Sequence, residues 1–517
     1  MRVALVSAPY DTQAYRIGEN LGLKYVAAAL DADDIPTDVY DPALSGLGTD
    51  ELVGHLAEGS YDLVGISVMF DSAVPAVMEI VDGLREQNCR AHITAGGHVP
   101  TFNHIELLRD NAGLDSVIRF EGDVTLVELV RALRCHGPLA SIAGLTYRSP
   151  AGIRANPPRH LVADLDDLPF PRRDPTSRHL GDPHFFVVTT RGCPFNCTFC
   201  SIPAFYREPA GKQWRTRSTH NVLDELEYLA THWGATTISF LDDEFLVGEN
   251  GKERAVELAD ALAASGMNLT WSFECRADDV AETLFRRLQR CGLRHVFLGI
   301  ESGVQPALDR FEKRTTVSQN RAAIATIRRL GISLAIGFIM FDPDTTPNEL
   351  RENADFLEEN RLASFKALSN RVQVYRGTRI EQRLSAQGRL LVDGLRRSFV
   401  WPGAAVESAY QLTSRCLAPW HAVDLQTRRA EFLIDNLPSA DSKRRLQTKL
   451  EDLQSKSSSF LTGAFRSIID YADDAGSRSA TTRFEEALTN EVARQVDRAT
   501  TAVQRLAADA RLLQEST

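Results

Sequence analysis

The sequence predicts an α/β protein in three parts: a doubly wound, Rossmann-like parallel sheet, a partial TIM-type barrel of six βα units, and a helical C-terminal domain. Two observations predict the first two parts. Short apolar runs alternate with amphipathic helical segments over residues 1–140, and again over residues 181–400. That β-α alternation calls for parallel sheets with crossover helices. A third observation predicts the last part: from 401 to 517 the chain turns helical, charged and poor in glycine.

In chain order, VALVSAP reads as a strand and LGLKYVAAALDA as an amphipathic helix. PTDVYD and DLVGISVMF are strands around the helix DELVGHLAEG. VPAVMEIVDGLREQ is helical, AHITAGG a strand, HIELLRDN helical, and DSVIRF a last strand before a helix from Thr125. Doubly wound sheets bind ligands at the carboxyl ends of their strands. Here those ends carry Ser7-Ala8-Pro9, Ser67-Val68-Met69, Gly96-Gly97-His98 and Glu121-Gly122-Asp123. Residues 141–180 form a connector, a hairpin-like AGLTYRSPAGIRANP and then the proline-rich DLDDLPFPRRDP, which suits an extended strap. The second tract supplies FFVVTTRG, TTISFLDDEF, LTWSFECRAD, HVFLGIESG, LAIGFIMFD and ALSNRVQVY as strands, enough for a partial barrel with its active site at the strands' carboxyl ends.

Apolar content of 43% and charged content of 25% are ordinary for a globular protein, and the net charge of −11 argues against a broad nucleic-acid surface. No apolar run approaches the ~20 residues of a membrane span. MRVALVSAPYD reads as a strand and turn rather than a signal peptide, so a cytoplasmic location is expected. Eight cysteines are present, and Cys89, Cys135, Cys275, Cys291 and Cys416 are isolated. The other three sit together.

Those three form Arg191-Gly192-Cys193-Pro194-Phe195-Asn196-Cys197-Thr198-Phe199-Cys200, a C-x3-C-x2-C in the first βα loop of the barrel tract. Thiolates are the usual iron–sulfur ligands, and a cubane normally takes four. With three close cysteines, one iron stays open to another ligand. Structural zinc is the competing reading, but it pairs two ligand hairpins, and His220 and His232 do not supply a second.

The stretch from Val187 to about Thr378 resembles the radical S-adenosylmethionine (SAM) core, whose hallmark is C-x3-C-x-aromatic-C. The resemblance implies a [4Fe-4S] cluster on Cys193, Cys197 and Cys200, with SAM on the open iron and Phe199 near its adenine. It implies further SAM contacts at Asp242 and Asp243 within Leu241–Phe245, at Glu274 and Arg276, and at Glu301 and Ser302 within Gly299-Ile300-Glu301-Ser302-Gly303. Tyr375-Arg376-Gly377-Thr378 resembles the family's late P-G-T turn with Arg376 for proline. The usual glycine-rich segment is replaced by Phe338–Thr346. Each site has a plainer alternative: a strand-end Asp pair can serve a turn or cap, and Arg276 can pair with Asp278 or Asp279.

A doubly wound domain ahead of this core resembles the cobalamin-binding domain of class B radical SAM enzymes, on Leu21-Gly22-Leu23, Gly65-Ile66-Ser67, Gly96-Gly97-His98 and Glu121-Gly122-Asp123. The likeness implies cobalamin contacts at Pro9, Ser67, Met69, Gly96, Gly97, His98, Glu121 and Gly122. The family's D-x-H-x-x-G aligns with Gln13–Gly18, where Tyr15 replaces the cobalt-ligating histidine. Tyr15, Arg16, Ile17 and Gly18 are then expected on the cofactor's lower face without a strong ligand. The resemblance implies C-methylation of a secondary-metabolite intermediate, free or carrier-tethered, as in antibiotic biosynthesis, with a flavodoxin or ferredoxin as electron donor. The alternatives are a non-methylating member forming, rearranging or oxidising a ring, and a cobalamin-binding regulator with a degenerate core. Trp401, Tyr410, Trp420 and His421 are either a substrate dock or packing between barrel and tail.

Overall fold

The computed structural model describes residues 1–9, 18–178, 183–435, 437, 439–474 and 478–515. Five parallel strands open the chain: β1 (Val3–Ser7), β2 (Thr37–Tyr40), β3 (Leu63–Ser67), β4 (His92–Gly96) and β5 (Ser116–Ile118), in the order β2-β1-β3-β4-β5. The two-residue period of a strand sorts their side chains between two cores. Ala4 and Val6 pack with Leu52, Val77 and Ile80 on one face, while Val3 and Leu5 pack with Leu23, Ala27 and Leu129 on the other. The predicted hairpin, β6 (Leu145–Ser149) and β7 (Gly152–Ala155), extends this sheet antiparallel to β5.

The chain leaves β1 for β2 on one side and returns from β2 past β1 to β3 on the other, so a ligand crevice is expected between the carboxyl ends of β1 and β3. Asn20 closes that point. Its side chain accepts from Leu23 N at 3.1 Å, capping helix Leu21–Asp31, and donates to Ser7 Oγ at 3.3 Å and Ser67 Oγ at 3.1 Å.

The second tract contains β8 (His184–Val187), the short ribbon β9 (Thr190–Arg191) and β10 (Arg215–Thr216), then β11 (Thr237–Phe240), β12 (Thr270–Arg276), β13 (Leu293–Glu301) and β14 (Ser333–Phe338). β8, β11, β12, β13 and β14 form one parallel sheet, a partial barrel. The sixth position differs from a regular strand. ALSNRVQVY starts as helix Phe365–Ser369, capped by Ser364, and then makes a single parallel bridge, Arg371 to Phe341. Pro343, two residues past Phe341, has no N–H and sits in a turn closed by Thr345 and Asp344 on Asp342, so the ladder cannot continue.

A hairpin, β15 (Leu390–Asp393) and β16 (Arg396–Phe399), precedes four helices: Ala404–Cys416, Trp420–Asp435, Ala440–Asp474 and Arg478–Glu515. The tail shares the barrel's core, with Phe465, Ile468 and Ile469 in the same buried cluster as Phe341 and Phe356. Trp401 donates Nε1–H to Asp342 O at 2.8 Å, Phe341 meets Tyr410 edge-on, and Trp420 packs on Phe460. These aromatics are packing between barrel and tail. Among the described residues no helix is long and apolar enough to cross a membrane.

Candidate active site

The cysteine loop is held first by the acidic end of β11. Asp242 Oδ1 accepts from Thr189 N at 2.6 Å and Thr190 N at 2.7 Å, and its Oδ2 accepts from Thr189 Oγ1 at 2.5 Å. Both oxygens thus clamp the chain entering the loop. Asp243 Oδ2 accepts from Gly192 N at 2.9 Å. Gly192 lies at φ +88°, and a Cβ there would stand 1.8 Å from Gln213 O, so only glycine passes between the ribbon strands.

Beyond Gly192, Cys193, Cys197 and Cys200 are all half-buried. Thr198 N donates to Phe311 O and its Oγ1 to Arg310 O, both at 2.9 Å, which pins the loop's middle to the C-terminal end of helix Gln305–Arg310. Phe199 meets Phe311 edge-on at 5.3 Å. Burial pushes the Cys193 and Cys200 thiols up to about 12. Burial also raises Cys197, against which the Lys313 and Arg276 cations pull. Among the described residues no three His, Cys, Asp or Glu side chains converge tightly enough to hold a single ion. A cubane asks for something else, since each thiolate takes its own iron.

Cations gather beside the loop. Lys313 Nζ, buried, donates to Glu301 Oε1 at 2.9 Å, and Glu301 stands at the end of β13 with φ +61°. Arg276 lies 4.1 Å over the Phe195 ring and pairs with Asp278 at 3.0 Å, as its plainer reading expected. Glu244 is buried close by, and burial pushes its carboxyl up to about 8. Glu274 is exposed on β12. Ser302 is instead fully buried: its Oγ donates to Asn353 Oδ1 at 3.0 Å and accepts from Val304 N at 3.1 Å, so it builds the turn. Lys313, Glu244 and Asn353 escaped the sequence reading of site residues. A lysine in the turn Phe311–Arg314 carries no helical or strand period to mark it as buried.

The N-terminal strand ends face this loop. A cavity of about 150 Å³ is lined by Met69, His98 and Phe102 from the first sheet, Ser201 immediately after Cys200, and Tyr375 and Arg376 from the barrel's last segment. His98 stacks on Phe205, ring centroids 4.4 Å apart, and burial lowers it to about 4, so its imidazole is neutral at pH 7. Gly97, at φ +103°, brings backbone so near Val68 that a Cβ would lie 2.8 Å from Val68 O. Gly96 O accepts from Val68 N at 2.8 Å in the same turn. Pro9 is half-buried at the end of β1. A Cβ at Gly18 would stand 2.5 Å from the Phe186 ring. Tyr15, Arg16 and Ile17 lie outside the described residues.

Other predicted contacts are engaged elsewhere. Ser67 bonds Asn20. Glu121 accepts from both Arg215 Nη atoms, at 2.8 and 3.1 Å, and from Val162 N at 2.9 Å. Gly122 precedes helix Asp123–Arg134, whose Asp123 accepts from both Arg191 Nη atoms at 2.8 and 3.1 Å. Arg191 and Arg215 are register partners in the ribbon, so two ion pairs fasten the first sheet to the root of the cysteine loop.

The residues present fit the implied groups. Three thiols on one loop leave a cubane one open iron, the Lys313–Glu301–Arg276 cluster offers charge beside it, and the cavity lined by Met69, His98 and Ser201 opens on the facing side.

The sequence matches the radical SAM superfamily over residues 187–357 and the B12 binding domain over residues 9–130. It is 30% identical over 409 residues to an uncharacterized methyltransferase of Pyrococcus horikoshii, covering 77% of this chain and 86% of that one. It is 28% identical over 343 residues to the 4′-phospho-dehydrooxetanocin synthase of Priestia megaterium, covering 60% of this chain and 45% of that one. Among solved structures, the cobalamin-dependent SAM radical enzyme OxsB with aqua-cobalamin and SAM bound shares the fold. Its TM-score is 0.73 at 18% identity, over 98% of this chain and 84% of that one.

Proposed function

The chain belongs to the radical SAM enzymes that carry a B12-binding domain, and from that premise we propose that it is a C-methyltransferase acting on a small-molecule substrate. Its cofactors are a [4Fe-4S] cluster, SAM and cobalamin. When bound, they supply a 5′-deoxyadenosyl radical able to take hydrogen from an unactivated carbon, and a methyl group for the carbon radical so formed.

The chain's own part is orientation and exclusion of water. Cys193, Cys197 and Cys200 hold the cluster, while Asp242, Asp243 and Gly192 fix where their loop begins. Lys313 and Arg276 present positive charge to the SAM carboxylate, and Glu301 compensates Lys313. Phe199, braced on Phe311, offers a flat apolar surface to the adenine. On the facing side, neutral His98 and Met69 line the same cavity as Ser201, with Asp71 and Arg376 as the charged groups on its wall.

One observation carries the reading: a single cavity joins the strand ends of the first sheet to the residue following Cys200. That juxtaposition suits delivery of a group from one cofactor to a radical made by the other. The test is anaerobic reconstitution with methyl-labelled SAM, a flavodoxin or ferredoxin as reductant, and a small-molecule extract. The expected products are 5′-deoxyadenosine and a labelled carbon–methyl product, both lost in Cys193→Ala, Cys197→Ala and Cys200→Ala. 5′-Deoxyadenosine without label in product overturns methyl transfer and selects ring formation, rearrangement or oxidation. Neither product selects a regulator.

A further inference from the structure

We propose that a second cavity, beside the barrel's sixth position, binds a phosphoryl group of the substrate. The inference names the substrate class for the reading above and rests on it. The cavity measures about 360 Å³, and Lys366, Asn370, Arg371, Gln373, Ser398 and Tyr410 are among its lining residues. Arg397 lines it too, and the described lining residues include no carboxylate.

Two of the three cations there have no anionic partner within ion-pair distance among the described residues. Arg397 is matched by Glu381 at 2.6 Å. Arg371 is held by other means: its guanidinium lies 4.0 Å over Phe399 and 4.5 Å over Trp401, and one Nη donates to Ser398 Oγ at 2.8 Å and Phe399 O at 2.9 Å. Its Nε is buried without an acceptor. Stacking and a hydrogen bond with the Tyr410 side chain fix the plane of the fork, and Glu407 acts on it only from beyond ion-pair distance. Lys366 is exposed into the same cavity, with Arg428 and Glu274 as the charges that act on it.

A rigid guanidinium beside a mobile ammonium suits a tetrahedral dianion better than a planar monoanion. A phosphate ester carries a charge of roughly −1.5 to −2 at neutral pH, matching two cations that lack a carboxylate at ion-pair distance, and its several oxygens can accept from ammonium and guanidinium together. Ser398 and Tyr410, both bonded to Arg371, line the same wall.

Position links this cavity to the chemistry. Arg371 and Gln373 line it, whereas Tyr375 and Arg376, next along the same segment, line the cavity at Ser201. At about 3.3 Å per residue even when fully extended, Arg371 and Tyr375 are separated by at most roughly 13 Å. A phosphorylated small molecule of that length, anchored here, presents its far carbon to the interdomain cavity. Binding energy from a remote phosphoryl group is a known source of orientation at the reacting carbon.

The test uses the full-length, cluster-reconstituted protein without SAM or reductant, titrated with inorganic phosphate and followed by ³¹P line broadening. Saturable binding is expected, displaced by sulfate but not by acetate at equal ionic strength. Lys366→Gln, at an exposed position, should weaken it about tenfold. Arg371→Lys, which keeps the charge and loses the fork, should weaken it similarly. Unchanged phosphate binding in Lys366→Gln, or displacement by acetate as effective as by sulfate, overturns the proposal. Because no turnover is involved, an unlabelled product in the methyl-transfer assay overturns that reading without touching this one.

Discussion

Gly192 shows how much one residue decides. Its amide is bonded by Asp243, its φ is +88°, and the space a side chain needs is occupied by Gln213 O. Gly192→Ala should therefore displace the loop root and cost about 2–4 kcal/mol, read as a lower denaturation midpoint together with reduced iron and sulfide after reconstitution. His98 makes a second residue-scale prediction. Its folded value, about 4, lies below the ordinary 6.5, so the unfolded chain binds the extra proton between those limits. Its contribution to stability is complete above about pH 6.5 and is lost as pH falls towards 4, by at most ~1.4 kcal/mol per pH unit. Denaturant midpoints at pH 7.5 and 5 should separate wild type from His98→Gln by that slope, and equal slopes would dismiss the buried neutral ring.

The β9–β10 ribbon is two residues on each strand, yet it aims Arg191 at Asp123 and Arg215 at Glu121. In the sequence, Glu121-Gly122-Asp123 has the composition of a ligand-binding strand end. In the fold its carboxylates meet arginines about 70 and 94 residues away, a pairing no local pattern can announce. All four side chains are largely buried, so removing one partner strands a charge. Asp123→Asn should cost roughly 3 kcal/mol, and a double-mutant cycle with Arg191→Gln should recover a coupling above ~1 kcal/mol. Additive effects would show that the ribbon does not tie the sheet to the cysteine loop.

At the scale of the whole molecule, the strap between the domains carries a buried ionic hub. Arg173 pairs with Glu19 of the first domain and, at 2.8 Å, with Glu225 of the barrel, which also accepts from Arg217. Barrel and tail share one apolar core, in which the fully buried Phe465 meets Phe341 edge-on. Phe465→Ala should cost about 3–5 kcal/mol and lower the barrel's melting transition along with the tail's. A separate, earlier tail transition in the wild type would contradict the shared core.

The amino-acid sequence by itself determined the two α/β tracts, the helical tail and the cysteine triad. Strand and helix periods are local, and three thiols within eight residues need no folding to become neighbours. The tertiary structure alone decided which polar residues face a ligand and which serve the scaffold. Asp242 and Ser302 look like site residues in sequence and became clamps, because Thr189 and Asn353 arrive from other strands and helices. Lys313 looks like a surface lysine and became the buried partner of Glu301, because the turn that follows helix Gln305–Arg310 returns it to the end of β13. Pairing across a fold depends on which distant groups burial leaves without water, and that is settled only when the elements pack.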